Sequence, residues 1–311
     1  MSVLRSFLFC PANHSRRLDK TLCVDTDAVI IDLEDSVART EKPVARTSAL
    51  AYLKQPRGRR KAYVRVNALQ TPWSFADFKA VITEGLDGIV LPKAESAADV
   101  LIADHLIAGW EAERGLIPGS IDLMPIIETA KGVEALREIL RSVGRVKRAC
   151  FGSGDFTSDT NSPWTRDNAL CLYARARLAV VSRAAEREPP IDTVWAQLDD
   201  DAGFISETEE ARKLGFQGKL CIHPEQLETV NRIFSPDPLE IAAAQKLCAA
   251  FEAAEHGGIA AIVVDGAFVD YPVVRKAYHV LEIAKRIQDL PAQSDLEIET
   301  MASARGQQRR Q

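Results

Sequence analysis

Short apolar runs rich in β-branched residues alternate along the chain with longer stretches in which apolar residues recur every three to four positions. Eight runs have strand character, at 6–9, 28–33, 62–66, 88–91, 123–127, 149–152, 191–195 and 218–222. Several, among them Ala28-Val-Ile-Ile-Asp-Leu33 and Leu123-Met-Pro-Ile-Ile127, are apolar at consecutive positions, which suits strands covered on both faces. Helical periodicity fills 15–23, 42–55, 73–84, 97–114, 129–143, 165–187 and 206–214. The alternation predicts an α/β chain, and eight strand signals with intervening helices predict a closed (β/α)8 TIM barrel. An open doubly wound sheet is the alternative. It would want a glycine-rich dinucleotide turn after the first strand, where Cys10-Pro-Ala-Asn13 stands.

Beyond the eighth strand the pattern changes. An Ala-rich amphipathic helix is expected over 236–255, a strand-turn-strand signal over 260–269 with Gly266 at the turn, and helix again over 272–288. This stretch is too long to be only the closing helix of a barrel. The expected organisation is therefore a catalytic barrel over 1–234, a C-terminal helical lid or arm over 235–289, and a disordered tail over 290–311, where the chain is polar and rich in small residues.

Composition changes this picture little. The 311 residues are 46% hydrophobic and 27% charged, enough for one large core. A formal net charge of −5 gives no electrostatic reason to expect nucleic acid. The basic run Arg57-Gly-Arg-Arg-Lys61 and the C-terminal Arg305, Arg309 and Arg310 read as a charged loop and a frayed end. Cys10, Cys23, Cys150, Cys171, Cys221 and Cys248 show no zinc-site spacing and read as reduced small hydrophobes. No run is long enough to cross a membrane, and the first apolar run is short for a secretory signal, so a cytoplasmic enzyme is the expectation.

In a barrel the βα loops open on one face, and chemistry sits there. The polar residues follow the strand ends in order: Asn13 and His14, Glu34 and Asp35, Arg65 and Asn67, Lys93, Glu128, Asp155, then His223. Any one acid could simply cap the next helix. Four carboxylates on one rim with Arg65 and Lys93 would repel unless a cation neutralises some of them. Glu128 and Asp155 come from neighbouring strands, whose side chains at equal height stand about 5 Å apart. All-oxygen ligation favours Mg²⁺, or Mn²⁺ in its place, over Zn²⁺. The run Gly152-Ser153-Gly154 just before Asp155 is expected to let backbone N–H groups approach the site closely and bed a substrate carboxylate, with Gly154 as the substrate contact.

These segments resemble the citrate lyase beta subunit and its relatives, the malyl-CoA and citramalyl-CoA lyases, within the HpcH/HpaI aldolase superfamily. The likeness is carried by Arg5-Ser-Phe-Leu-Phe-Cys-Pro-Ala-Asn13, Asp32-Leu-Glu-Asp-Ser-Val37, Val64-Arg-Val-Asn67, Ile89-Val-Leu-Pro-Lys93, Pro125-Ile-Ile-Glu-Thr129 and Phe151-Gly-Ser-Gly-Asp155. It continues in the stretch from Gly215 to Pro224 and in Gly266-Ala-Phe-Val-Asp270. The resemblance implies Glu128 and Asp155 as metal ligands, with Glu34 and Asp35 supporting them through water or hydrogen bonds. It implies Arg65 as a catalytic, substrate-binding arginine, and Lys93, Gly154, Glu34 and Asp35 as further substrate contacts. Asp270 matches a lid acid that acts in a neighbouring subunit's site, which implies a homotrimer or hexamer. Arg16 and Lys20 lie where such enzymes meet the phosphates of coenzyme A.

The activity implied is reversible Mg²⁺-dependent cleavage of a β-hydroxyacyl-CoA to acetyl-CoA and a 2-oxo acid. A malyl-CoA thioesterase and a beta chain acting on a carrier-bound citryl group are the alternatives. The chain departs from the family at Ser153-Gly154-Asp155, at Thr160-Asn161 and at His14. The departures put the identity of the substrate in question and leave the metal ligands in place.

Overall fold

The computed structural model describes residues 3–165 and 167–289; the expected tail and the C-terminal arginines lie outside them. The chain forms two compact units, one over 3–231 and a second from Arg232 on. The first is a closed barrel of eight parallel strands: β1 (Ser6–Pro11), β2 (Ala28–Asp32), β3 (Lys61–Arg65), β4 (Gly88–Leu91), β5 (Asp122–Ile127), β6 (Cys150–Phe151), β7 (Ile191–Asp192) and β8 (Gly218–Cys221). Each pairs with its sequence neighbour, and β8 returns to β1 through Phe7 opposite Leu220. This is the TIM barrel the alternation predicts.

Around it run α1 (Ser15–Thr21), α2 (Lys42–Leu53), α3 (Ser74–Val81), α4 (Ala97–Glu113), α5 (Ala130–Glu134), α6 (Leu136–Arg141), α7 (Ser153–Asp159), α8 (Ala169–Ala184) and α9 (Asp201–Leu214). Helix α10 (Gln226–Ile233) follows β8. One expected helix is divided and another shortened. The stretch 129–143 breaks at Ala135 into α5 and α6, and the helix expected over 165–187 is confined to α8, whose N-cap Asn168 accepts the N–H groups of Leu170 and Cys171. The last two expected strands before β8 are also shorter, two residues each.

Period-two alternation decides which side chains face the barrel axis. Phe7, Ala28, Ile30, Tyr63, Val90, Met124, Ile126, Cys150, Ile191 and Leu220 form the interior core, joined by Phe9. The same parity carried one step further along β2, β3 and β5 reaches Asp32, Arg65 and Glu128, so polar groups crown an apolar interior at one end. At the other end Tyr63 Oη donates to Asp122 at 2.8 Å and Arg148 Nη1 donates to the same oxygen at 2.8 Å, a buried plug.

The basic run before β3 is tied into the fold. Arg57 donates to the carbonyls of Leu53 (2.8 Å) and Gly85 (2.5 Å), Arg59 pairs with Asp25 and Asp27, and Lys61 pairs with Asp87. Of the cysteines, all are unpaired and only Cys23 is exposed. Among the described residues no helix is long and apolar enough to cross a membrane.

The second unit contains α11 (Pro238–His256), the hairpin β9 (Ile262–Val264) and β10 (Ala267–Val269), and α12 (Tyr271–Gln288). Ala244, Cys248, Phe251, Val269, Val274 and Ala277 make its core. A capping box of Asp237 and Glu240 with Pro238 behind it opens α11. The hairpin turns on Asp265 (φ 49°) and Gly266 (φ 80°), the two positive φ angles that a two-residue turn of matching twist requires.

Candidate active site

At the crowned end, β2 and β3 are in register with Asp32 opposite Arg65. Arg65 Nε and Nη2 donate to the two carboxylate oxygens of Asp32 at 2.7 Å each, a bidentate fork, and its guanidinium lies 4.8 Å over the Phe9 ring. Asp32 is almost wholly buried and also accepts the N–H groups of Glu34 (2.9 Å) and Ser36 (3.1 Å) and the Ser36 hydroxyl. Burial alone would favour its neutral form, but Arg65, Ser36 and the Glu34 N–H outweigh it and hold its carboxyl at about 2. Asp32 stood in the sequence only as part of a motif. Its parity with Ala28 and Ile30 was the signal that would have placed it on the inner face.

Glu34 follows in the loop after β2, buried, with Oε1 2.7 Å from Lys93 Nζ and Oε2 3.2 Å from Arg65 Nη1. The second contact is an ion pair without hydrogen-bond alignment, so Glu34 Oε2 lacks a hydrogen-bond partner. Lys42 fastens this loop by donating to the carbonyls of Leu33 and Glu34 at 2.7 Å each. Asp35 is mostly exposed and reaches Lys93 only at 3.4 Å. Asn67 serves the scaffold, donating to the Leu33 carbonyl and to Asp77.

Glu128 stands directly after β5, buried, with Oε1 accepting the backbone N–H of Lys93 at 2.8 Å. Burial, then the nearby Asp155 and Glu34 carboxylates, push its carboxyl up to about 8, more than Arg65 and Lys93 offset. Lys93 Nζ lies 3.8 Å from Asp155 Oδ1 as well as 2.7 Å from Glu34. Despite partial burial, Glu34, Glu128 and Asp155 raise the Lys93 pKa above the ordinary lysine value.

One expectation needs correction and one is sharpened. Asp155 lies within the first turn of the short helix α7, four residues beyond the end of β6, and not at a strand end. The seven residues of α7 carry no apolar period that would have announced a helix. Of the two glycines in the expected Gly152-Ser153-Gly154 run, the one whose missing Cβ the packing requires is Gly152. Ile127 pairs with Phe151, so Gly152 falls opposite Glu128, and a Cβ there would lie 2.6 Å from Glu128 Oε2 and 2.8 Å from its Cβ. A Cβ on Gly154 would meet only the Trp164 ring, at an ordinary 3.5 Å.

The structure thus brings together Glu34, Arg65, Lys93, Glu128 and Asp155, and adds Asp32. Arg16 and Lys20 are exposed on α1. Asp270 belongs to the second unit, where it caps α12 by accepting the Val273 N–H at 3.3 Å. His223 is half-exposed and lies 3.4 Å from Glu225.

Among the described residues no set of three or more His, Cys, Asp or Glu side chains is already closed around a metal position. The donor set nevertheless fits a hard dication: all oxygen, an under-bonded buried Glu34 Oε2, and a Glu128 carboxylate whose negative charge is costly without a nearby cation.

A parallel (β/α)8 barrel with paired charges crowded at the mouth defines an enzyme of the barrel class. The chain belongs to the HpcH/HpaI aldolase/citrate lyase family, whose model matches residues 5–224. It is 36% identical over 281 residues to the citrate lyase subunit beta of Leuconostoc mesenteroides subsp. cremoris, covering 90% of this chain and 93% of that protein. It is 35% identical over 284 residues to the (3S)-malyl-CoA thioesterase of Cereibacter sphaeroides, covering 91% of this chain and 95% of that protein. The crystal structure of protein CitE from Mycobacterium tuberculosis in complex with magnesium, acetoacetate and coenzyme A superposes with a TM-score of 0.74 at 28% identity. That match covers 91% of this chain and 98% of the other.

Proposed function

We propose that the chain is a carbon–carbon lyase that reversibly cleaves a malyl- or citramalyl-type β-hydroxyacyl-CoA into acetyl-CoA and a 2-oxo acid. Glu128 and Asp155 hold Mg²⁺, or Mn²⁺ in its place. The observation that carries this reading is geometric: the buried Glu128 carboxylate stands at the barrel mouth with Asp155 and with Glu34, whose Oε2 lacks a hydrogen-bond partner, beside the Arg65 and Lys93 cations. The bound magnesium and coenzyme A of the related CitE structure support it.

Once bound, the cation supplies Lewis acidity toward the hydroxyl and carboxylate oxygens of the acid portion. The protein's own groups do the rest. Arg65, held rigid by Asp32, presents its remaining N–H groups to oxygen charge that grows as the carbon–carbon bond breaks. The alcohol passes its O–H proton to solvent water as it becomes the carbonyl of the 2-oxo acid, and the bonding pair passes to the acetyl-CoA enolate. Asp270, contributed by a neighbouring copy in a homotrimer or hexamer, donates the proton that this carbon takes up, and removes it in the condensing direction. Glu34, Asp35, Lys93 and the N–H of Gly154 complete the contacts to the acid portion, and Arg16 and Lys20 meet the coenzyme A phosphates.

The test is a panel of malyl-, citramalyl-, methylmalyl- and citryl-CoA, each with Mg²⁺ and with chelator, read separately for 2-oxo acid and free thiol. Magnesium-dependent 2-oxo acid release supports the lyase. Malate with free thiol would instead support a thioesterase, the reading favoured by the Cereibacter relative. Turnover only on an acyl group attached to a carrier protein would support the citrate lyase beta reading, favoured by the Leuconostoc relative. Full activity in excess chelator would remove the cation from all three.

A further inference from the structure

Lys93 touches the acidic cluster from both ends. Its backbone is left-handed at φ 51°, a conformation that an L-residue adopts when its surroundings impose it, and the N–H so aimed donates to Glu128 at 2.8 Å. Its ammonium lies 2.7 Å from Glu34, 3.4 Å from Asp35 and 3.8 Å from Asp155. One residue therefore meets four carboxylates, two of them buried. Crowded carboxylates repel unless a positive charge sits among them. The ammonium supplies one unit of charge, a divalent cation supplies two, and a cation held by Asp155 and Glu128 would be repelled by the ammonium 3.8 Å from Asp155 Oδ1.

We infer that Lys93 is the resident counter-ion of this cluster and limits how tightly the cluster holds a divalent cation. It keeps Glu34 and Asp155 assembled when the cation is away and opposes the cation's charge when it arrives, which makes the site an exchangeable one. The inference rests on the reading that Glu128 and Asp155 ligate the cation. It differs in sign from a structural role: a residue that only braced the carboxylates would, when lost, weaken cation binding, whereas loss of a counter-ion strengthens it.

The experiment is Mn²⁺ titration of the full chain by calorimetry and by electron paramagnetic resonance of free Mn²⁺, comparing Lys93→Met, Lys93→Gln and Lys93→Arg with the unsubstituted protein. Removing one positive charge close to a dication in a partly screened site should make the Met and Gln variants bind about tenfold tighter or more. Arg, which keeps the charge, should stay near the original affinity. In chelator the two neutral variants should melt below the unsubstituted protein, and saturating Mn²⁺ should narrow the gap. Two neutral substitutions are used so that a folding failure in one still leaves the sign readable in the other. Unchanged or weaker binding in both overturns the inference while leaving the ligand assignment standing. If the unsubstituted protein binds no Mn²⁺, or Glu128→Gln binds it equally well, the ligand assignment falls and the inference falls with it.

Discussion

Gly152→Ala and Gly154→Ala add the same methyl group two residues apart and should have opposite consequences. At 152 the added Cβ would lie 2.6 Å from Glu128 Oε2, 2.8 Å from Glu128 Cβ and 3.0 Å from Ile126 Cγ2. The carboxylate tip could swing aside, but the other two atoms are fixed by β5, so either the strand pair or the whole Glu128 side chain must move. Overpacking of this kind costs about 1–3 kcal/mol. For a barrel of this size that corresponds to a melting temperature lower by roughly 2–4 °C per kcal/mol. A displacement approaching 1 Å at a group that positions the reaction costs on the order of 100-fold in rate. At 154 the nearest atoms to an added Cβ are those of the Trp164 ring at 3.5 Å, the residue is helical, and its N–H survives the substitution. Exchanging a helical glycine for alanine gains about 0.5–1 kcal/mol. Thermal melts by circular dichroism, cation titration and turnover on the active ester of the panel would be compared for the two variants. If Gly152→Ala melts with the unsubstituted protein and keeps its cation affinity, or if the two substitutions behave alike, the account of how Glu128 is packed is wrong.

Three further outcomes are expected. Arg65→Lys replaces a fork by a point charge, so one Asp32 hydrogen bond in a buried site goes unmade; unfolding in denaturant should show a loss of about 1.5–3 kcal/mol, and full stability would contradict the pairing. Asp270→Asn should leave the melting temperature unchanged, since asparagine caps a helix as well as aspartate, while turnover falls about 100-fold or more; retained turnover would reduce Asp270 to a cap. At the base of the barrel, burial opposes ionisation of Asp27, but Arg5 and Arg59 outweigh it and hold its carboxyl below the usual carboxylate range. A depressed carboxylate contributes stability that is present above the unfolded pKa, about 3.9, and is lost as pH falls through the lower folded value. Unfolding free energy should therefore drop below about pH 4, and Asp27→Asn should flatten that drop; an unchanged acid slope would refute the assignment.

The strands and their order were legible because a barrel strand is covered by helices outside and core inside, which writes consecutive apolar residues into short runs. The hairpin was legible from Gly266 between two apolar runs; that Asp265 leaves the strand and shares the turn with a second positive φ was not. Strand-end charges were legible as a set. The Arg57 to Lys61 run was read as a plain charged loop, because its partners, the Leu53 and Gly85 carbonyls and the Asp25, Asp27 and Asp87 carboxylates, are mostly brought to it by the folding of other segments.

The sequence by itself determined the barrel, the parity that turns Asp32, Arg65 and Glu128 inward, and the acidic character of the mouth. These depend on periodicity and on residue type, both local properties of the chain. Tertiary structure alone decided that Asp155 stands on a helical turn, that Gly152 rather than Gly154 must be bare, that Asp32 owns the Arg65 fork, and that one lysine meets four carboxylates. Those facts depend on strand register and on distances between side chains far apart in sequence. Coulombic and steric energies change steeply over an ångström, a scale that no linear pattern of residue types encodes.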